Sequence, residues 1–392
     1  MANESYDLIV IGAGPGGYPA AIRASQLGLK TLCVEKEYLG GVCLNWGCIP
    51  SKALIAASNT VEKIRHAGTM GIKTGEVSVD VAALKEWKDG IVKKQTGGVG
   101  SLLKSNKVDS VMGSATFKSK TTIEVVKSDG SRQSYEAKKG IIIATGASTI
   151  QIPSFPVDGK VVITAREAVS LKQVPKTLVL IGGGVIGLEL GMVYQKLGSK
   201  VIVVEMLDQL LPTEDADVVR VVERRFTSRG GEVLTQAKAK SCTLQGDKAT
   251  VVVEHAGKER SIEADNVLVA VGFRPNSKGL GLEEIGVKLD ERGHVLTDDK
   301  LQTNVPGVYA IGDVSGAPYL AHKATKEGET AAEIIAGHKS ARDWRVIPAA
   351  IFTDPEIATV GLREKEAKAQ GKAIKIGKFP FSVSGRAQAV SE

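Results

Sequence analysis

The sequence of 392 residues is 43% hydrophobic and contains 44 glycines, enough chain for two or three globular domains. Four cysteines are too few for a scaffold stabilised by disulfides, so a closely spaced pair favours catalysis over structure. The 51 basic and 44 acidic residues give a net charge of +7. Aromatic residues make up only 4% and no basic run exceeds two residues, which argues against a nucleic-acid partner.

The first predicted elements are a strand, a glycine-rich turn and a helix. Residues 6–11 are apolar and rich in β-branched side chains, and Gly12, Gly14 and Gly17 follow in a turn. A second predicted strand, residues 30–34, ends at Glu35. Glycines at this spacing allow a tight turn, close approach of a pyrophosphate and close packing of helix on strand. Because the carboxylate can accept hydrogen bonds from ribose hydroxyls, the pattern predicts a dinucleotide site.

Cys43 and Cys48 come next in the chain. A pair at this spacing has three interpretations: half of a zinc site, a structural disulfide or a redox couple. No second pair supplies further zinc ligands, and a disulfide closing so short a loop constrains the unfolded chain little. The neighbouring dinucleotide site therefore favours a redox couple.

A regular helix would separate these two side chains, so we expect the pair to span the distorted first turn of a helix. Unpaired N–H groups at that end lower a thiol pKa. Lys52, four residues after Cys48, can add a positive charge on the same helix face, with an ordinary surface lysine as the alternative.

A second copy of the first unit follows later in the chain. Its parts are a strand at residues 178–181, a turn with Gly182, Gly184, Ile186 and Gly187, a helix to residue 197, a strand at residues 200–204, and Glu205. The first glycine and the acidic residue are 23 positions apart in both copies (35 − 12 and 205 − 182). Predicted strands at residues 141–146 and 267–272 close the two units. A carboxylate at Glu205 favours NAD, because it would repel the 2′-phosphate of NADP.

The amino terminus carries acidic residues and has none of the successive regions of a secretion signal. The most apolar stretch, residues 178–188, is shorter than the ~18 apolar residues that a membrane-spanning helix needs. We therefore expect no membrane span and a cytoplasmic protein.

Along essentially the whole chain these motifs resemble the flavoprotein disulfide reductases. Other matching segments are residues 144–146, 187–189, 272–276, 303–313, 320–324 and 348–361. The resemblance implies an α/β fold with two Rossmann-like domains, one for FAD and one for NAD. The NAD domain would be inserted into the FAD domain, and the start of an α+β dimerisation domain would follow. The expected divisions are 1–149 (FAD domain with the redox disulfide), 150–275 (NAD domain), 276–345 (second part of the FAD domain) and 346–392 (incomplete interface domain).

The resemblance also implies roles for single residues. Cys43 would exchange with a dithiol substrate, Cys48 would contact the flavin, and Lys52 would pair with Glu189 beside the flavin and nicotinamide. The further nucleotide contacts that it implies are Ala115, Thr145, Gly146, Gly272, Asp313 and Ala321. No metal site is expected.

The implied reaction oxidises a dithiol on the lipoyl domain of a 2-oxoacid dehydrogenase or glycine cleavage complex, with electrons passing through FAD to NAD in a homodimer. A mercuric reductase-like enzyme and a flavin- and NAD-binding module with only diaphorase activity are the alternatives. Dithiol oxidation needs a general base, yet no histidine stands in a pattern resembling the family's His–Glu pair; the five are His66, His255, His294, His322 and His338. We expect the interface domain to start near Arg345 and to be cut short at Glu392, with that pair beyond it.

Overall fold

The computed structural model describes residues 4–389. The strands are β1 (Glu4–Ile11), β2 (Thr31–Glu35), β3 (Asp109–Met112), β4 (Ser114–Phe117), β5 (Thr122–Val126), β6 (Arg132–Ile143), β7 (Ala147–Thr149), β8 (Val162–Ile163), β9 (Thr177–Ile181), β10 (Lys200–Val204), β11 (Glu232–Leu234), β12 (Lys238–Gln245), β13 (Lys248–His255), β14 (Lys258–Ala264), β15 (Asn266–Val269), β16 (Phe273–Pro275), β17 (Val308–Ala310), β18 (Ala349–Ile351) and β19 (Ile357–Thr359). The helices are α1 (Gly17–Gln26), α2 (Gly41–Asn45), α3 (Cys48–His66), α4 (Val81–Ser105), α5 (Ala165–Ala168), α6 (Val185–Leu197), α7 (Ala216–Ser228), α8 (Ala321–Ile335), α9 (Glu364–Ala369) and α10 (Gly385–Ala389).

The first sheet has seven strands in the order β3-β2-β1-β6-β5-β4, with β17 paired to β6 off this path. β1 lies parallel to both β2 and β6. Leu8, Ile9 and Val10 are all fully buried, because a central parallel strand has both faces covered. Small side chains on α1, Ala20 and Ala24 among them, let that helix pack closely in the core beside the sheet.

The second sheet has five parallel strands in the order β11-β10-β9-β15-β8. Helix α6 is buried along most of its length and contributes to the core on one side of this sheet. The antiparallel sheet β12-β13-β14 contributes to the core on the other side, where Val251 and Ile262 pack in one cluster with Val179 and Ile202. This second sheet thus has the same buried, parallel character as the first.

The second unit is inserted into the first. The chain leaves the first sheet after β6, builds the second sheet, and returns in β17, where Val308 pairs with Ile141. The outgoing and returning passages form a two-stranded ribbon in which β7 pairs with β16. The predicted α/β fold with two Rossmann-like units, one inserted into the other, is therefore confirmed.

The predicted strands and helices of both units are present, most of them with small shifts at their ends, although β6 begins at Arg132, nine residues before the predicted start at residue 141. The strand predicted at residues 200–204 is β10 with the same bounds, and the helix predicted to end at residue 197 is α6. The returning strands β6 and β15 end three residues earlier than predicted, because a glycine turn follows each of them. Within residues 4–389, no helix combines the length and apolarity needed to cross a membrane.

Candidate active site

The two glycine turns have the same geometry. Gly12 and Gly182 have φ angles of +103° and +104°, a region that favours glycine. An added Cβ would lie 2.3 Å from the Ala144 carbonyl oxygen in the first unit and 2.5 Å from that of Ala270 in the second. Both turns therefore require glycine at this position for the same reason, the close approach of the returning strand.

The two acidic residues are also held alike. Glu35 Oε2 accepts a hydrogen bond from the amide of Ala13 at 2.7 Å, and Glu205 Oε2 accepts one from Gly183 at 2.6 Å. In each unit the other carboxylate oxygen accepts the amide proton of the residue two positions further along, at 2.8 Å. Each carboxylate thus closes its own turn, and its remaining lone pairs can still accept ribose hydroxyls.

Both turns leave room for a pyrophosphate. A Cβ on Gly184 would meet no heavy atom within 4 Å, and one on Gly14 would meet only the Cα of Gly41, at 3.8 Å. Neither α1 nor α6 has a side-chain cap at its first turn. Free N–H groups at a helix start bind phosphate, so the residues present fit a dinucleotide in each unit.

Cys43 and Cys48 form a disulfide, with their Cα atoms 4.6 Å apart. Cys43 lies in α2 and Cys48 is the first residue of α3. The bridge therefore spans a break between two helices, and the expectation that it spans the distorted first turn of one helix is wrong. The break falls at Gly47, with φ −114° and ψ −112°, where an added Cβ would lie 2.9 Å from the Val42 carbonyl oxygen.

An ion pair involves α3, the helix that begins with Cys48, which we call the disulfide helix. Lys52, on α3, places its Nζ 2.8 Å from Glu189 Oε2 on α6, so the pair joins the two units. Glu189 is 4% exposed and Lys52 34% exposed. The other oxygen of Glu189 accepts the amide proton of Phe352 at 2.9 Å, and Lys52 Nζ lies 4.5 Å from the centre of the Phe352 ring. Phe352 was not predicted, because nothing in its local sequence indicates this long-range contact.

Asp313 lies in a 3₁₀ turn whose backbone is held from α8. Glu327 accepts the amide proton of Gly312 at 2.7 Å, and Lys323 donates to the carbonyl oxygens of Gly312 and Gly316 at 3.2 and 2.8 Å. Burial raises the pKa of Asp313, and the positive charge of Lys323 opposes that rise. Burial also raises the pKa of Glu327, and the positive charge of Lys323 opposes that rise as well. Sequence reasoning missed this bracing pair, whose signal is two opposite charges four residues apart on one helix.

The other predicted contacts lie at the ends of strands and helices. Thr145 and Gly146 follow β6, and Thr145 Oγ1 donates to the Asn276 carbonyl oxygen at 2.8 Å. Ala115 is buried on β4, Ala321 starts α8, Ile186 lies in the first turn of α6, and Gly272 has a φ of +112° after β15. Among residues 4–389 no group of three or more His, Cys, Asp or Glu side chains could hold a metal ion.

One histidine lies near a glutamate, but far from the disulfide. His66 Nδ1 is 3.7 Å from Glu62 Oε1 at the last turn of α3. The 18 residues that separate it from Cys48 span about 27 Å along a helix. His294 contacts Asp290 and Tyr319 instead, and His322 contacts the Pro348 carbonyl oxygen.

Comparison with known proteins identifies the family. The model of the pyridine nucleotide-disulphide oxidoreductases matches residues 6–328, and that of their dimerisation domain matches residues 347–392. Dihydrolipoyl dehydrogenases of Geobacillus stearothermophilus and Bacillus subtilis are 48% and 47% identical to this chain, covering 98% of it and 82% of their own length.

Two solved structures agree. LpdA from Mycobacterium tuberculosis has a TM-score of 0.89 at 31% identity, covering 98% of this chain and 84% of its own. RclA from Escherichia coli, described as an HOCl-induced flavoprotein disulfide reductase, has a TM-score of 0.86, covering 100% and 84%, and at 24% identity shows the fold alone. The family predicted from the motifs is thus confirmed. The chain belongs to the pyridine nucleotide-disulphide oxidoreductases, flavoproteins that use FAD and NAD, and groups there with the dihydrolipoyl dehydrogenases.

Proposed function

We propose that this chain oxidises a protein-bound dihydrolipoyl dithiol at the Cys43–Cys48 disulfide and passes the electrons to NAD. The observation that carries the proposal is the contact between α2, the helix that contains Cys43, and the first dinucleotide turn. A Cβ on Gly41, the first residue of α2, would lie only 2.7 Å from the Cα of Gly14. The disulfide segment, residues 41–48, is thus packed directly on the turn that fits the flavin nucleotide.

The thiol chemistry gives each sulfur the role that the family resemblance implies. A substrate thiolate attacks Cys43, the Cys43–Cys48 bond breaks, and Cys48 leaves as a thiolate. The second substrate thiolate then attacks the mixed disulfide, so that Cys43 is released and the substrate becomes a disulfide. Two electrons pass to the Cys43–Cys48 pair, and the substrate loses two protons. Free N–H groups at the start of α3 stabilise the Cys48 thiolate.

The proposed nucleotide contacts are those predicted from the sequence. Gly12, Gly14, Gly17 and Glu35 would hold FAD together with Asp313, and Gly182, Gly184, Gly187 and Glu205 would hold NAD. Bound FAD supplies two-electron redox chemistry, and NAD accepts the electrons as a hydride. Lys52 supplies a positive charge, and Glu189 holds it in place while itself fixed by the Phe352 amide.

We also propose the domain division 1–149, 150–275, 276–345 and 346–392, which the β7–β16 ribbon supports at the first two joints. The match to the dimerisation domain supports a homodimer. The lipoyl domain of a 2-oxoacid dehydrogenase or glycine cleavage complex is the proposed partner, by similarity to dihydrolipoyl dehydrogenases. A cytoplasmic location is proposed because four cysteines in 392 residues is sparse usage, which argues against a secreted protein.

Replacing Cys48 with Ser tests the function. We expect NAD reduction by dihydrolipoamide to be lost, because the disulfide can no longer form. NADH oxidation by ferricyanide, which needs no disulfide, should continue with FAD still bound. Normal dihydrolipoamide turnover by the variant would contradict the assignment. A wild-type chain that oxidises NADH with ferricyanide but does not reduce NAD with dihydrolipoamide would favour the flavin- and NAD-binding module instead.

A further inference from the structure

Helix α5 is a short element of the second unit with a firmly held start. Thr164 caps it, and Glu167 Oε2 accepts the Thr164 amide proton at 2.9 Å, which completes a capping box. At its other end Ala168 is buried, and its carbonyl oxygen accepts a hydrogen bond from Tyr194 on α6. The side chains of α5 thus project from a fixed base.

Arg166 projects from this base onto the first unit. Its Nη2 lies 2.6 Å from Glu37 Oε1, two residues after Glu35. Its guanidinium carbon lies 4.3 Å from the centre of the Trp46 ring and 6.0 Å from that of Tyr38. Tyr38 and Trp46 also contact each other edge to face, with ring centres 5.8 Å apart. Arg166 therefore contacts two residues that precede the disulfide segment, Glu37 and Tyr38, and one residue inside it, Trp46.

Trp46 lies inside the loop that the disulfide closes. It is the residue between α2 and Gly47, and its amide donates to the Val42 carbonyl oxygen at 3.0 Å. Its ring also packs against the core of the second unit. The orientation of Trp46 therefore bears on the helix break, and the helix break sets the separation of Cys43 and Cys48.

We propose that Arg166 is a positioning residue for the redox disulfide: it stacks on Trp46, binds Glu37, and so holds the α2–α3 break in the geometry that brings the two sulfurs together. The inference rests on the proposed redox role of Cys43 and Cys48. The partners of Arg166 are Glu37, Tyr38 and Trp46, so its effect is on the probability that the two thiols meet. Loosening the loop lowers that probability and makes the disulfide easier to reduce.

The test measures the reduction potential of the Cys43–Cys48 couple in the FAD-loaded protein. Wild type and Arg166→Ala are equilibrated in dithiothreitol redox buffers, the free thiols are alkylated, and the alkylated cysteines are counted by mass spectrometry. A half-exposed cation–π contact predicts about a threefold loss of disulfide stability in the variant. At 29.6 mV for a tenfold change, the potential should rise by about 14 mV.

Two further variants separate positioning from general stability. Arg166→Lys keeps a cation over Trp46 and should restore most of the wild-type potential. Arg260→Ala is the matched control, because Arg260 lies in the second unit as Arg166 does, also pairs with a glutamate, Glu232, and is about equally exposed (46% against 45%). Arg260→Ala should leave the potential unchanged.

Kinetics give the second readout. Arg166→Ala should lower kcat/KM for dihydrolipoamide about threefold while the rate of NADH oxidation by ferricyanide stays at the wild-type value. An unchanged potential, or an equal fall of both activities, would overturn the proposal. The potential is measured without a lipoyl substrate, so an inactive wild type would count against the proposed function alone.

Discussion

Glu205 has two tasks at one position. Its carboxylate closes the second glycine turn through the amides of Gly183 and Leu207, and it faces the place where a nicotinamide nucleotide would bind its adenosine ribose. A free 2′-hydroxyl can donate to the carboxylate, whereas a 2′-phosphate meets a like charge. We therefore expect the choice of nucleotide to depend on the charge of this side chain as well as on its shape.

Replacing Glu205 with Gln should weaken the preference for NAD. The amide keeps one oxygen acceptor but loses the charge, and a hydrogen bond to a charged group contributes about 1.5–3 kcal/mol. We expect kcat/KM for NAD to fall about tenfold or more and the ratio of NADP to NAD activity to rise, measured by steady-state kinetics with both nucleotides.

Glu35→Gln is the matched control for this prediction, because Glu35 holds the same position in the first unit. That variant should release FAD more readily, measured by flavin fluorescence, without changing the choice between NAD and NADP. A Glu205→Gln variant with an unchanged nucleotide ratio would contradict the role assigned to the carboxylate.

At the scale of single residues, the sequence predicts the site positions that occur in both copies of the glycine-turn unit. Gly12 and Glu35 could be identified because Gly182 and Glu205 stand at the same spacing, and each position answers a local demand of the backbone. The amide of Phe352 gives no such signal. Its bond to Glu189 joins residues 163 positions apart, so only the folded chain brings them together.

At the scale of elements, the break between α2 and α3 is the part of the site that the sequence described least well. The spacing of the cysteines excluded a regular helix, but it did not distinguish a distorted turn from two separate helices. Gly47 decides the outcome, because the backbone of Val42 and Cys43 lies too close to leave room for a side chain there.

Replacing Gly47 with Ala should therefore disturb the disulfide segment. The added Cβ would lie 2.9 Å from the Val42 carbonyl oxygen and 3.2 Å from the Cys43 Cα, so the backbone would have to shift, and overpacking of this kind costs about 1–3 kcal/mol. We expect kcat/KM for dihydrolipoamide to fall by about tenfold while NADH oxidation by ferricyanide is retained.

Gly97→Ala provides the control for this prediction. Gly97 lies inside α4, where an added Cβ meets nothing within 4 Å. Alanine there should stabilise the helix by about 0.5–1 kcal/mol and leave both activities unchanged. Equal kinetics for the two alanine variants would show that the break tolerates a side chain.

At the scale of the whole molecule, one charged cluster joins three parts of the chain. Asp354, just after the β18 strand, contacts Lys196 at the end of α6 and Arg229 after α7, at 2.8 and 2.7 Å. Arg229 also contacts Glu62 on the disulfide helix at 2.7 Å. Lys196 is only 4% exposed, and the contact with Asp354 offsets the cost of burying its charge. These ion pairs thus connect the C-terminal segment to both units, two residues after the hydrogen bond from the Phe352 amide to Glu189.

Replacing Asp354 with Asn should destabilise the protein in a pH-dependent way. Burial by itself raises the pKa of Asp354, but hydrogen bonds and charge from Lys196 and Arg229 outweigh it and lower the pKa. A carboxyl whose folded pKa is lowered stabilises the fold above its unfolded pKa, and that contribution is lost as the pH falls toward the folded value. We therefore expect a loss of about 1–3 kcal/mol between pH 6 and 8 that shrinks steadily below about pH 5.

Urea unfolding of the FAD-loaded protein at a series of pH values measures this difference, and Asp217→Asn is its control. Asp217 also links the second unit to the C-terminal segment, through Lys378, but that lysine is 64% exposed. An exposed pair contributes about 0–1 kcal/mol, so the control should unfold almost as wild type does. If both variants lose the same small amount at every pH, the C-terminal segment is fastened by apolar packing. A larger loss for Asp354→Asn that fades in acid means that the buried charges hold the three parts together.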